Sequence, residues 1–233
     1  MKRLILLTFA IFGVLVLSMP AKAAPAGVLS IASCAGGGVT LSATTIVFFP
    51  AGCTMTGSGT NVTYTGGGPL GFPVQGQIKD VNLVLTPLPL SDFMTFTGNP
   101  NLHFDLTSFG PGVGNTTCAG LGVGFSCSPI AGSPVILTVT STGSTISLTA
   151  SGVARDLSAG SSTWTGFFTT QINGLTPLQI QNILLSGGSI TSTYSGNFTV
   201  TGPSQVPEPA TMLLLGTGLV GITAKVRKRR KTV

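Results

Sequence analysis

The feature that most narrows what this chain can fold into is a two-residue period of apolar side chains. From Asn101 to Thr107 it is complete: Leu102, Phe104 and Leu106 share one face, while His103, Asp105 and Thr107 share the other. Such alternation describes a half-buried β-strand. Val135-Leu137-Val139 and Ile146-Leu148-Ala150 repeat it, separated by a turn at Ser141-Thr142-Gly143. Trp164, Phe168 and Ile172 hold one parity, and in the run Ile190 to Val200, Ile190, Tyr194, Phe198 and Val200 read as inward. Val39 to Phe49, Asn61 to Thr65 and Val81 to Leu85 read as further strands between Gly/Pro turns.

One helix is expected against this background. Thr176 suits an N-cap, Pro177 the first helical position, and Leu178, Ile180, Ile183 and Leu184 an apolar face that Gly187-Gly188 ends. Many short strands with one peripheral helix predict an all-β body, a single β-sandwich or jelly-roll-like domain over residues 24–200.

The two ends are of another kind. Met1-Lys2-Arg3, the apolar run Leu4 to Leu17 and the small residues Ala21 and Ala23 form a secretory signal peptide over 1–23, with cleavage expected after Ala23. At the other end, after a linker at 201–205, the stiff Pro-flanked motif of residues 206–211 leads into an uncharged run at 210–224. The basic tail of 225–233 follows, with Lys225, Arg227, Lys228, Arg229, Arg230 and Lys231. Positive flanks stay in the cytoplasm, so the run is expected as a transmembrane helix with the body outside. It is short of the roughly 20 residues that span a bilayer, which suits brief residence.

The order of a Pro-Glu-Pro motif at Pro207, Glu208 and Pro209, a hydrophobic run and an Arg/Lys end resembles the PEP-CTERM sorting signal. That resemblance implies an exported protein of a Gram-negative bacterium, held transiently in the inner membrane. It further implies cutting near Pro207-Glu208-Pro209 by an exosortase, a multi-spanning cysteine transpeptidase-like enzyme. The product is then released or attached at the envelope, surface or extracellular matrix.

Charge matters once the ends are set aside. Of 11 Lys and Arg residues, only Lys79 and Arg155 lie in the body, against Asp80, Asp92, Asp105 and Asp156, leaving −2. The high pI belongs to the sorting segments, and nucleic-acid binding loses its electrostatic basis. Cys34, Cys53, Cys118 and Cys127 make an even set in an exported chain and predict disulfides. Three pairings are open. The local pairs Cys34–Cys53 and Cys118–Cys127 are preferred, because each closes a short loop around Gly-rich sequence. With no C-x-x-C and only His103 as histidine, neither a metal nor a cofactor is expected.

Candidate chemistry in the body is sparse. Asp80 beside Lys79 and Asp156 beside Arg155 read as solvated charges near strand ends, and Asp92 as a turn residue bonded to its own backbone. His103 and Asp105 share a face, yet neighbours two apart on a strand point in parallel, and no G-x-S-x-G supplies a nucleophile. No catalytic residue is assigned, and an enzyme is not expected. The body reads as a structural or adhesive component of biofilm matrix, with extracellular polysaccharide as a further partner. The alternatives are a secreted glycan-binding module and, behind it, a glycoside hydrolase. For glycan stacking the large polar aromatics are Tyr64, Trp164 and Tyr194, the last two on core parity.

Overall fold

Two long strands set the architecture. In the computed structural model, which describes residues 24–57 and 74–202, β11 (Gly143–Asp156) and β12 (Ser161–Asn173) form an antiparallel hairpin paired from Gly143↔Asn173 to Arg155↔Ser161. Before them in the chain come β1 (Gly27–Ser33), β2 (Gly38–Leu41), β3 (Thr45–Phe49), β4 (Met55–Gly57), β5 (Val74–Ile78), β6 (Val81–Asn82) and β7 (Leu90–Phe96). Then follow β8 (Asn99–Phe109), β9 (Ser126–Cys127) and β10 (Val135–Val139). After the hairpin come helix α1 (Pro177–Leu185), β13 (Ile190–Ser192) and β14 (Ser195–Thr201).

Pairing runs β11, β12, β14, β1, β4, β5, β7, β8 and returns to β11, so eight antiparallel strands close on themselves. The body is therefore a β-barrel, and the expected sandwich or jelly roll is corrected. Alternation specifies one buried face per strand, which a sandwich and a barrel satisfy equally well. Closure depends on what occupies that face. Gly152 and Gly166 point inward, and a Cβ at Gly152 would lie 1.8 Å from the Asp105 carbonyl oxygen and 2.7 Å from the Trp164 ring. At Gly166 a Cβ would lie 2.2 Å from the Phe198 ring. Bare backbone beside a large ring lets a narrow barrel fill its interior with side chains.

The long β11 serves two neighbours on one edge. Ser144 to Leu148 pair with β10, and Ala150 to Asp156 pair with β8, with a register shift between Ser151 and Gly152. Inside, Trp164 packs on Phe104 and Phe198, while Phe168 meets Phe198, Phe93, Tyr194 and Phe48.

A second sheet, ordered β13, β2, β3, β6, is built from the connections at one end of the barrel. The expected strand Val39 to Phe49 is thus a hairpin, turning at Ser42 where the side chain takes the N–H groups of Thr44 and Thr45. Likewise the expected run Ile190 to Val200 divides into β13 in the small sheet and β14 in the barrel wall, and the run from Val81 is a strand only to Asn82. Burial is uniform across both pieces because each faces the same core. Helix α1 carries a capping box, with Gln179 N–H donating to the Thr176 hydroxyl and Thr176 N–H donating to Gln179 Oε1. Ile180 and Leu184 are buried, whereas Leu178 faces outward. Gln181 Nε2 ties the helix to the carbonyls of Thr116 and Pro129, each at 2.9 Å.

Cys34 is bonded to Cys53 and Cys118 to Cys127, the two local pairs. The first closes the excursion that carries β2 and β3; the second closes the loop after β8. Among the described residues no helix is long and apolar enough to cross a membrane. The signal peptide of 1–23, the run Asn61 to Thr65 with Tyr64, the linker beyond Gly202, the sorting motif, the helix expected at 210–224 and the tail of 225–233 lie outside the described residues.

Candidate functional site

Four of the seven Asp, Lys, Arg and His side chains in the described body meet at one place on the outer wall, where β7, β8 and β11 lie side by side. His103 and Asp105 alternate outward on β8, and Arg155 pairs directly opposite His103. Asp92 joins them because β7 bulges: it adopts φ 52°, and its N–H donates to Asp105 Oδ1 at 2.7 Å. Arg155 Nε donates to Asp105 Oδ2, while Nη2 reaches Asp105 Oδ1 at 2.9 Å and Asp92 Oδ1 at 2.8 Å.

His103 closes the cluster. Its Nε2 lies 2.8 Å from the Pro100 carbonyl, which can only accept, so that nitrogen carries a hydrogen. Nδ1 sits 2.8 Å from Asp92 Oδ1, at ion-pair distance but off the line of a hydrogen bond.

The electrostatics follow from these contacts. Partial burial pulls the Asp105 carboxyl upward, but the Arg155 hydrogen bonds, the Asp92 N–H, the guanidinium charge and nearby His103 outweigh it and hold it below the usual carboxylate range. Arg155 is raised in turn, chiefly by its hydrogen bond to Asp105. A carboxylate held ionised cannot serve as the proton donor that glycoside hydrolysis requires. What the arrangement does is join three strands across an irregular stretch of wall.

The remaining charges stand apart from it. Asp80, expected as a solvated charge, accepts the Phe48 N–H at 2.7 Å and so ties β3 to the β5–β6 connection. Asp156 is not solvated as expected: only 4% exposed, it accepts from Ser158 N at 2.8 Å and Ser158 Oγ at 2.7 Å. Adjacent strand residues face opposite ways, so Arg155 and Asp156 never form the pair their adjacency suggests. No group of metal-ligating residues occurs among the described residues.

The aromatics are also redistributed. Trp164 is buried with Nε1 donating to the Asp105 carbonyl at 3.0 Å, and Tyr194 is buried with its hydroxyl donating to the Thr54 carbonyl. Burial pushes the Tyr194 phenol up. The exposed ring on the barrel wall is Phe167, at 45%. Its sequence signal was parity: it lies one residue off the inward series Trp164, Phe168, Ile172.

Around Phe167 the wall is uncharged. Outward positions of β12 are Thr163, Thr165, Phe167, Thr169 and Gln171; those of β14 are Ser195, Asn197, Thr199 and Thr201. Across the hairpin, Thr149 lies opposite Phe167 and Ser151 opposite Thr165. Two shallow depressions follow one another along this wall. One, of about 450 Å³, is bounded by Thr149, Ser151, Thr165, Phe167, Asn197 and Thr199. The other, of about 270 Å³, is bounded by Thr169, Gln171, Thr193 and Ser195.

Outside the barrel, a family model for the PEP-CTERM protein-sorting motif matches residues 205–230. The chain carries a PEP-CTERM sorting motif. The match takes in Pro207, Glu208, Pro209, the apolar run and the basic residues through Arg230. PEP-CTERM signals mark proteins that are exported and processed at the membrane by an exosortase in Gram-negative bacteria. No curated protein and no solved structure matches the chain.

Proposed function

We propose that the barrel is a non-enzymatic structural or adhesive component of the cell surface or biofilm matrix. The PEP-CTERM motif behind an all-β, disulfide-closed body carries the reading. On this reading Pro207, Glu208 and Pro209 are the residues the exosortase recognises. Lys225, Arg227, Lys228, Arg229, Arg230 and Lys231 hold the substrate at the depth where it is cut. The Arg155 hydrogen bonds that hold Asp105 below the usual carboxylate range support a non-catalytic body, since they disfavour Asp105 as the acid of a carboxylic acid–carboxylate pair.

The test is to express the full chain in a host with and without an exosortase and to follow the mass of the C-terminal segment and the fraction of protein at the surface and in the medium. Loss of the segment should require both the exosortase and Glu208, with Glu208→Ala leaving the chain in the inner membrane. An intact segment in both hosts, or normal processing of the Glu208→Ala chain, defeats the sorting mechanism.

A further inference from the structure

We propose that the wall formed by β11, β12 and β14 is a binding trough for a linear, neutral polysaccharide, with Phe167 as its stacking platform. This rests on the reading of the body as an adhesive matrix component and names the ligand class and the surface that would take it.

Charge narrows the ligand first. The body's acids and bases gather elsewhere, with His103, Asp105, Asp92 and Arg155 on the β7, β8, β11 side, Lys79 and Asp80 in the β5–β6 connection, and Asp156 buried at the end of β11. None borders either depression. A trough without charge gives no advantage to an anionic or cationic ligand over water and salt.

The polar groups narrow it further. Hydroxyls both donate and accept, and the side-chain amide of Asn197 does the same, so the lining matches a ligand that is itself a field of hydroxyls. The hydroxyls of Thr149, Thr165 and Thr199 make no hydrogen bond to another described residue, whereas Thr169 and Ser195 already share one at 3.1 Å. Asn197 is preset, since its Nδ2 donates to Ser30 Oγ at 2.9 Å and leaves the amide oxygen to accept. Phe167 stands among them at 45% exposure, with no ring contact to another aromatic among the described residues. A half-exposed ring in a polar setting offers a flat apolar face of the kind the C–H side of a sugar ring covers.

The backbone excludes the main competitor. A peptide would bind an open sheet by adding a strand to unpaired main-chain groups. Here β12 is paired to β11 along its whole length and to β14 from Thr163 to Thr169, so the wall around Phe167 presents no strand edge to extend. Only side chains face outward, and they are suited to a ligand read through hydroxyls.

Shape gives the last constraint. From Thr165 to Gln171 the two depressions lie in file along β12, which at about 3.3 Å per residue extends over roughly 20 Å. That length seats several sugar rings of a chain in preference to one monosaccharide.

The experiment is affinity electrophoresis of the purified full-length protein through gels containing soluble β-glucan, xyloglucan, galactomannan or dextran, with alginate as the anionic probe. At least one neutral polymer should retard the protein, equally at low and high salt. Phe167→Ala should weaken that retardation about tenfold or more, the scale of losing one good stacking contact. Thr165→Arg, which fills the first depression, should do the same, while Phe125→Ala, removing an exposed ring elsewhere, should leave it unchanged. Circular dichroism of each variant checks the barrel. Absence of retardation by every neutral polymer, retardation only by alginate, or full binding by the folded Phe167→Ala protein overturns the proposal. Processing that still depends on Glu208 would then leave the sorting mechanism standing, so the two readings fail separately.

Discussion

Replacing Arg155 by Gln isolates the charge cluster. The change removes the Nε bond to Asp105 and the Nη2 bonds to Asp105 and Asp92, at 2.9 and 2.8 Å, and leaves two carboxylates facing each other. Their burial sets the scale. The Asp105 side chain is 14% exposed and behaves nearly as a buried charge, whereas Asp92 at 41% is largely screened by water. Breaking a buried pair costs about 3–5 kcal/mol and an exposed one about 0–1, so the loss at pH 7 should be about 2–3 kcal/mol. In a body of this size that lowers Tm by about 5–10 °C.

The pH dependence gives a sharper readout. In the native protein Asp105 titrates below its unfolded value of 3.8, so its contribution is complete above that pH and is lost as pH falls through the folded value. Without Arg155 its hydrogen bond and charge no longer oppose burial, which leaves only the Asp92 N–H and His103 to do so; the Asp105 pKa moves up and protonation costs the fold less. The stability gap between the two proteins should therefore hold constant from pH 7 down to about pH 5 and narrow below it, as Asp105 takes up its proton. Urea is the denaturant of choice, because guanidinium salt would screen the effect. Arg155→Gln/Asp105→Asn should recover at least half of the loss. A gap below about 0.5 kcal/mol at pH 7, or one independent of pH, would refute the account of the cluster as a clamp on the bulged strand.

Two further substitutions probe the barrel interior. Gly152→Ala puts a methyl 1.8 Å from the Asp105 carbonyl oxygen and should cost about 3 kcal/mol or prevent folding, with no rescue from Trp164→Phe, because the nearest obstacle is backbone; proteolytic resistance of the secreted protein reports it, and wild-type resistance would refute the packing argument. Tyr194→Phe leaves the buried Thr54 carbonyl without its hydroxyl donor and should lower stability by about 1–2 kcal/mol in urea unfolding, while a neutral effect would show that water replaces the lost bond.

What could be read before the structure was local. Leu102, Phe104 and Leu106 are buried as their spacing requires, and Thr176, Pro177 and the glycines after the helix set its ends, because alternation and capping operate over a few residues. Closure was not legible, since it is decided by pairing β8 with β11 across the loops and small strands between them. The same holds for Arg155, whose partners Asp105 and Asp92 lie 50 and 63 residues away while its chain neighbour Asp156 faces the other side. Phe167 is legible in principle as a lone apolar residue at outward parity, one step off the series Trp164, Phe168, Ile172.

The chain enters and leaves the barrel at one place. β1 and β14 are paired, with Gly27 opposite Val200, and a side chain at Gly202 would touch Ala26 at 3.4 Å, whereas both disulfides, the small sheet and α1 belong to the other end. A protein retained through its C-terminal side is therefore pulled along β14. That strand is laced to β1 by six residue pairs and to β12 by seven, all loaded at once rather than opened one after another. Drag on the far end of the molecule meets the barrel in shear, the direction in which a sheet is hardest to peel.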